Sequence, residues 1–264
     1  MIGIFDSGIG GLTVVRAILE KLPQYRIVYF GDTARTPYGT KSQKTIIDYS
    51  IENTEFLISQ GAKIIVVACN SASSVAFETL QERFSLPIFE VIRPAVEKTL
   101  RVTQKRRIGV IGTRATVGSG IYERLLKEVR PEIEVFSEAC PMLVPLVEEG
   151  WLNRPETRRV VRKYLFPLKM KQVDTLVLGC THYPLLKPII KAKMGKKVQV
   201  IDSSLEAAQW VKAYLEQNPE VSAGLTPAGA EEGHRFFVSD LTPTFEQVAS
   251  HFLGRPITLE VAKK

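Results

Sequence analysis

Eight short apolar runs recur along this chain, and most of them do not alternate apolar with polar residues. They span positions 2–5, 26–30, 63–68, 87–91, 107–111, 134–136, 174–178 and 198–201. A strand with one wet face alternates, whereas a strand covered on both faces of a parallel sheet reads as a continuous Val/Ile-rich run. Between these runs lie stretches of helical periodicity. Leu12, Val15, Ile18, Leu19 and Leu22 share one face. Ile47, Ile51, Thr54 and Ile58 share another, with Ser42 placed as an N-cap and Gly61 as a C-terminal stop. Such alternation predicts an α/β fold of parallel sheets flanked by helices and joined by right-handed crossovers.

The pattern also echoes itself. Ile2-Gly3-Ile4-Phe5-Asp6-Ser7 lines up with Ile108-Gly109-Val110-Ile111-Gly112-Thr113, and Val67-Ala68-Cys69-Asn70 with Leu178-Gly179-Cys180-Thr181. The offsets, 106 and 111, nearly agree. Chance likeness between buried strands is the competing explanation. A true repeat implies two pseudo-symmetric α/β domains, each a parallel sheet flanked by helices, residues 1–96 plus 207–264 and residues 97–206. The basic segment 99–107 then reads as the crossing. The helical stretches 205–217 and 245–253 read as returning to the first half.

Cys69 and Cys180 each end an apolar run and are each followed at once by small polar residues. A free cysteine is ordinarily a small buried hydrophobe. Two features favour chemistry here. Both thiols stand at strand ends, where ligands of parallel α/β proteins bind, and the next residues are read as starting a helix whose N–H groups stabilise a thiolate or hold a carboxylate. A thiol also titrates near enough to neutrality to serve alternately as base and acid. Two of them across one crevice could take a proton from one face of a carbon and return it on the other.

Other residues are less decided by local pattern. Asp6, in Asp6-Ser7-Gly8-Ile9-Gly10-Gly11, reads either as a turn residue or as the polar partner of a thiol. This loop lacks the third glycine of a dinucleotide fingerprint, and Tyr38-Gly39-Thr40-Lys41-Ser42 misses the P-loop spacing. His182 follows Cys180 by two residues and shares its face if that segment is extended. Glu148 and Glu149 read locally as the solvated end of a helix. Cys140, before Pro141, reads as structural.

Composition narrows the classes further. Apolar residues make up 45% of the chain and charged ones 24%, as in ordinary globular proteins. No apolar run approaches the roughly 20 residues that span a bilayer, so no membrane association is expected. The first run begins at Ile2, leaving no room for a signal peptide, so a cytoplasmic location is expected. The net charge of +7 is scattered and carries no nucleic-acid-binding signature, so a solvated surface is expected rather than a nucleic-acid partner. Three cysteines without Cys-x-x-Cys spacing, and three histidines without a zinc pattern, argue against disulfides and metal.

Assembled, these motifs resemble the glutamate racemases. The resemblance rests on residues 4–11, on Gly31-Asp32-Thr33-Ala34-Arg35-Thr36-Pro37-Tyr38-Gly39, on 67–72, on 140–150 and on Leu178-Gly179-Cys180-Thr181-His182-Tyr183-Pro184. It implies a cofactor-independent racemase supplying D-glutamate for peptidoglycan, with two similar domains, the active site in the crevice between them, and usually a homodimer. It further implies that Cys69 serves the D-enantiomer and Cys180 the L-enantiomer. Asp6 would assist Cys69, and His182 with Glu148 would assist Cys180. Ser7, Tyr38, Gly39, Asn70, Ser71 and Thr181 would hold the substrate's amino and carboxylate groups, with Asp6 and His182 beside them. Ser71 stands where that family commonly has Thr, and the hydroxyl is kept. Racemisation of aspartate, amino-acid binding without chemistry and thiol oxidoreduction are the alternatives.

Overall fold

The computed structural model describes residues 1–228, 233–243 and 245–262. The first half runs β1 (Ile2–Asp6), α1 (Leu12–Lys21), β2 (Ile27–Gly31), α2 (Gln43–Ser59), β3 (Ile64–Val67), α3 (Asn70–Arg83), β4 (Ile88–Glu90) and α4 (Ile92–Val102). The second runs β5 (Arg107–Gly112), α5 (Arg114–Gly118), α6 (Ile121–Val129), β6 (Glu134–Ala139), α7 (Leu143–Glu148), α8 (Pro155–Met170), β7 (Thr175–Gly179), α9 (Lys187–Met194) and β8 (Gln199–Asp202). The chain then passes through α10 (Ser203–Gln217), α11 (Pro219–Ala223), β9 (Arg235–Val238), α12 (Phe245–Leu253) and β10 (Glu260–Val261).

Two parallel sheets result, one ordered β10-β9-β2-β1-β3-β4 and the other β6-β5-β7-β8. The four-strand order β2-β1-β3-β4 therefore repeats as β6-β5-β7-β8, and the registers repeat with it. Phe5 pairs with Val67, and Ile111 pairs with Leu178. The fourth strands agree as well, with Val67 opposite Glu90 and Leu178 opposite Asp202. Cys69 and Cys180 thus occupy equivalent positions, two residues beyond matched pairs, at the carboxyl ends of central strands.

Both faces of the first sheet are covered, which is why its strands read as unbroken apolar runs. Along β3, Ile64 and Val66 join one core while Ile65 and Val67 join the other. The first of these cores continues through α1, α4 and α10 into the second sheet, tying the halves together. Each fully buried Ile or Val contributes about 1.5–3 kcal/mol relative to exposure. The positions 96/97 and 206/207 fall inside α4 and α10.

One local reading changes, and two strands are added. On α2 the buried stripe is Ile46, Ser50, Asn53, Thr54 and Leu57, while Ile47 and Ile51 are half-buried and Ile58 is exposed. The helix is turned by about one residue because its polar members satisfy themselves. Ser50 donates to the Ile46 carbonyl, and Asn53 donates to the Tyr38 hydroxyl. The helix at 245–253 does pack on α1. Between it and α10, β9 extends the first sheet beside β2, and β10 lies beyond it. Neither of these two strands stood out in the sequence, since β9 has only four residues and both residues of the edge strand β10 are exposed.

Candidate active site

The loops after β1, β3 and β7 converge on a narrow cavity of about 20 Å³ between the sheets. By size it accommodates about one water molecule. Its lining takes Ser7, Tyr38, Gly39, Cys69, Asn70 and Ser71 from the first half, and Thr113, Val144, Cys180, Thr181 and His182 from the second. Both thiols face this one space. All three cysteines are free, and Cys140 is buried elsewhere in the second half, its Sγ 3.5 Å from the Glu138 carbonyl. Among the described residues, no group of three His, Cys, Asp or Glu side chains is placed to hold a metal ion.

The surroundings of the thiols differ. Cys69 caps the N-terminus of α3, as its sequence position suggests, and its Sγ lies 3.5 Å from Ser7 Oγ. Burial and the charge of Asp6 push this thiol up to about 12, so the folded protein holds it protonated. Cys180 is followed not by an α-helix but by a turn and a short 3-10 segment, Tyr183–Leu186. His182 meets it all the same: the turn, rather than an extended strand, brings Nδ1 to 3.8 Å from Sγ.

Glu148, at the last residue of α7, is not merely a solvated helix end. Its Oε1 lies 2.9 Å from His182 Nε2. Burial opposes charge on the imidazole, but hydrogen bonds to Cys180 and Glu148 outweigh it and push His182 up to about 10. A cationic ring beside the Cys180 sulfur is complementary to a thiolate.

Asp6 is fully buried, and burial raises its carboxyl despite the His182 charge and N–H bonds from the following loop. It accepts hydrogen bonds from the Gly8 N–H at 3.1 Å and the Thr181 hydroxyl at 3.4 Å, with the Gly11 and Ser7 N–H groups also directed at it. It therefore influences Cys69 through its field, and Ser7 makes the contact. The glycine-rich loop has a steric reason. A Cβ on Gly10 would stand 2.5 Å from His182 and Thr181, and one on Gly39 would stand 2.7 Å from Thr113. The halves meet closely only because these positions carry no side chain.

The expected substrate contacts divide. Ser71 Oγ lies 2.9 Å from Thr113 Oγ1. Tyr38 lines the cavity, but its hydroxyl turns away to the buried Asp32 carboxylate and to Asn53. Arg35 and Ser239 complete that Asp32 cluster. Thr36, Pro37, Thr113 and Val144 are lining residues beyond those expected. For Thr113 the signal was present, because the internal echo sets it against Ser7.

Paired thiols at matched strand ends face one cavity between two parallel sheets, in an α/β protein whose two halves repeat one strand order. The sequence model of the Asp/Glu/hydantoin racemase family matches residues 2–211, and the chain belongs to that family. It is an isomerase, an amino-acid racemase. The glutamate racemase of Geobacter metallireducens is 47% identical over 96% of this chain and 92% of its own length. A glutamate racemase isoform of Bacillus anthracis superposes with a TM-score of 0.93 at 38% identity, covering 100% of this chain and 97% of its own. The Francisella tularensis glutamate racemase, solved with D-glutamate, gives 0.90 at 37% identity, covering 99% and 97%. No helix among the described residues is long and apolar enough to cross a membrane.

Proposed function

We propose that this protein interconverts L- and D-glutamate by a two-base mechanism through Cys69 and Cys180. The carrying observation is the pair of thiols at equivalent strand ends on one narrow cavity, their neighbours polarised in opposite senses. Support for glutamate comes from the high-coverage relatives that bear that activity.

In the L-to-D direction the Cys180 thiolate, faced by the cationic His182, removes the α-proton. Cys69, held as a thiol, delivers its proton to the opposite face. The reverse direction exchanges their roles. An amino-acid α-proton is weakly acidic, so the planar carbanionic intermediate needs stabilisation from fixed donors in a space closed to water. Ser7, Asn70, Ser71, Thr113 and Thr181 supply hydroxyl and amide groups at the cavity wall. His182, on the cavity wall, can act on the substrate as well as on Cys180, whereas Asp6, buried behind the lining, acts through Thr181, to which it is bonded, and through its charge. Tyr38 and Gly39 contribute wall and backbone, since the Tyr38 hydroxyl is engaged elsewhere.

A cavity of about 20 Å³ is too small for glutamate, so the halves must part to admit it, moving about α4 and α10 near positions 96/97 and 206/207. The assigned setting is cytoplasmic provision of D-glutamate for the cell wall by a homodimer, without cofactor, nucleic acid or membrane. The test is incubation of the purified protein with L- or D-glutamate in D2O without additives. Conversion with α-deuterium incorporation is expected, and loss of turnover in Cys69→Ser and Cys180→Ser. Absence of both conversion and exchange, or full activity in either serine variant, overturns the reading. Parallel runs with aspartate and other amino acids decide the substrate.

A further inference from the structure

Asn70 follows one thiol directly and begins α3, yet its side chain is gripped by residues beyond the first sheet. Ser203 Oγ donates its only proton to the Leu178 carbonyl, 3.1 Å away on β7. Toward Asn70, 3.5 Å away, that oxygen is therefore an acceptor, and it faces Nδ2. The Tyr122 hydroxyl, from α6, then donates to Oδ1 at 2.8 Å. The directions of this hydrogen-bond chain fix which way the amide points. One N–H of Nδ2 has no further protein partner among the described residues, and Asn70 lines the cavity.

The ring of Tyr122 has a second contact. It is 2% exposed, and a Cβ built on Gly179 would lie 3.3 Å from its Cε2. Tyr122 thus stands between the residue before Cys180 and the residue after Cys69.

We propose that Tyr122 is a positioning residue for the racemisation. It orients the Asn70 amide so that an N–H, not the carbonyl oxygen, faces the substrate carboxylate, and it spaces the two cysteine-bearing strand ends. The role presupposes glutamate held between the thiols, as proposed above. Without the hydroxyl, the amide is free to turn its oxygen toward a carboxylate, exchanging attraction for repulsion.

Tyr122→Phe keeps the ring against Gly179 and removes only the hydroxyl. The enantiomers have equal free energy, so kcat/KM must fall equally in both directions. The expected loss is about tenfold to a hundredfold, the value of one hydrogen bond to a charged group, carried mainly by KM. In an Asn70→Ala background the same change should cost less than about threefold, because the group it acts through is gone. Ser203→Ala, which frees the other end of the amide, should raise KM in the same sense and serves if Tyr122→Phe does not fold.

Unchanged KM, or equal losses in both backgrounds with a lowered melting temperature, assigns Tyr122 a packing role only and overturns the inference while wild-type turnover stands. If the wild type binds glutamate in calorimetry without turning it over, the affinity of each variant is read in place of KM. Wild-type protein that neither binds nor converts glutamate overturns the functional reading and this inference together.

Discussion

Gly10→Ala tests whether the two halves are held at contact distance by the glycine-rich loop. The added Cβ would lie 2.5 Å from His182 Cε1 and Nδ1 and from Thr181 Oγ1. Non-bonded heavy atoms settle near 3.5–4.0 Å, so ring and loop must separate by about 1 Å. The ring has little room to retreat. It is 5% exposed, its Nε2 is bonded to Glu148 at 2.9 Å, and it lies edge-on to Phe252 with centroids 5.2 Å apart. The 3.8 Å approach to Cys180 and the Glu148 bond cannot both survive. A displacement of about 1 Å at a reacting group costs on the order of 100-fold in rate, and overpacking of this kind about 1–3 kcal/mol in stability. Gly10 has no positive φ, so the effect is steric rather than conformational. Gly118→Ala, at the end of α5 with nothing within 4 Å of the new Cβ, is the control and should change stability by no more than about 1 kcal/mol. Circular dichroism of glutamate conversion gives the rate, and urea unfolding gives the stability. A Gly10→Ala enzyme keeping more than about half of wild-type kcat/KM would refute the account of the interface.

Glu148→Gln removes the charge partner of His182, which should let its pKa fall from about 10 toward the ordinary 6.5. The alkaline limb of kcat/KM should move down, with a loss of roughly tenfold at pH 9 and a smaller one at pH 6 in a pH–rate profile. Stability should also fall with alkali. A histidine whose folded pKa is raised stabilises fully below its unfolded value of 6.5, and that stabilisation is lost as pH rises through about 10. Cys69, pushed up to about 12, adds a loss of the same sign above its unfolded value. Urea unfolding should show a decline of a few kcal/mol at most between pH 6.5 and 10, and a flat profile contradicts the buried charged ring. Tyr38→Phe should lower stability by about 1–3 kcal/mol, by removing a donor to buried Asp32, with little change in KM. A large KM effect in steady-state kinetics would return the hydroxyl to the site.

Much of this architecture is written in hydrophobic pattern, which is local. The eight runs became β1 to β8, and the interior strands β1, β2, β3, β5 and β7 read as unbroken apolar runs because nearly every residue in them is buried, whereas the edge strand β6 has no buried residue. The echo between 2–7 and 108–113 survives as register, with Phe5 and Ile111 in equivalent pairs. Contacts set by long-range packing were not legible. Nothing near Glu148 announces His182, which lies 34 residues further along the chain. The rotation of α2 depends on Tyr38 receiving Asn53 across 15 residues. The Tyr38 hydroxyl followed Asp32 rather than the cavity for the same reason. Tyr122 carried no motif at all, because its role depends on where α6 stands relative to α3 and β7.

The remaining question is why a duplicated scaffold surrounds its two thiols so unequally. By register Asp6 corresponds to Gly112, and by offset Ser71 corresponds to His182, so each half lacks the other's charged helper. Equal free energies of the enantiomers force kcat/KM to be the same in both directions for every variant. The inequality must therefore appear in the individual proton transfers. His182→Gln removes the cation beside Cys180 and leaves Cys69 with Ser7 and Asp6. Abstraction by Cys180 should become more rate-limiting than abstraction by Cys69. The deuterium isotope effect on kcat/KM should then rise with L-[2-²H]glutamate and fall with the D-enantiomer, whose abstraction by Cys69 becomes less limiting. Equal rises from both sides would mean that His182 acts on the shared carbanionic intermediate instead, and that the helpers are not divided between the thiols.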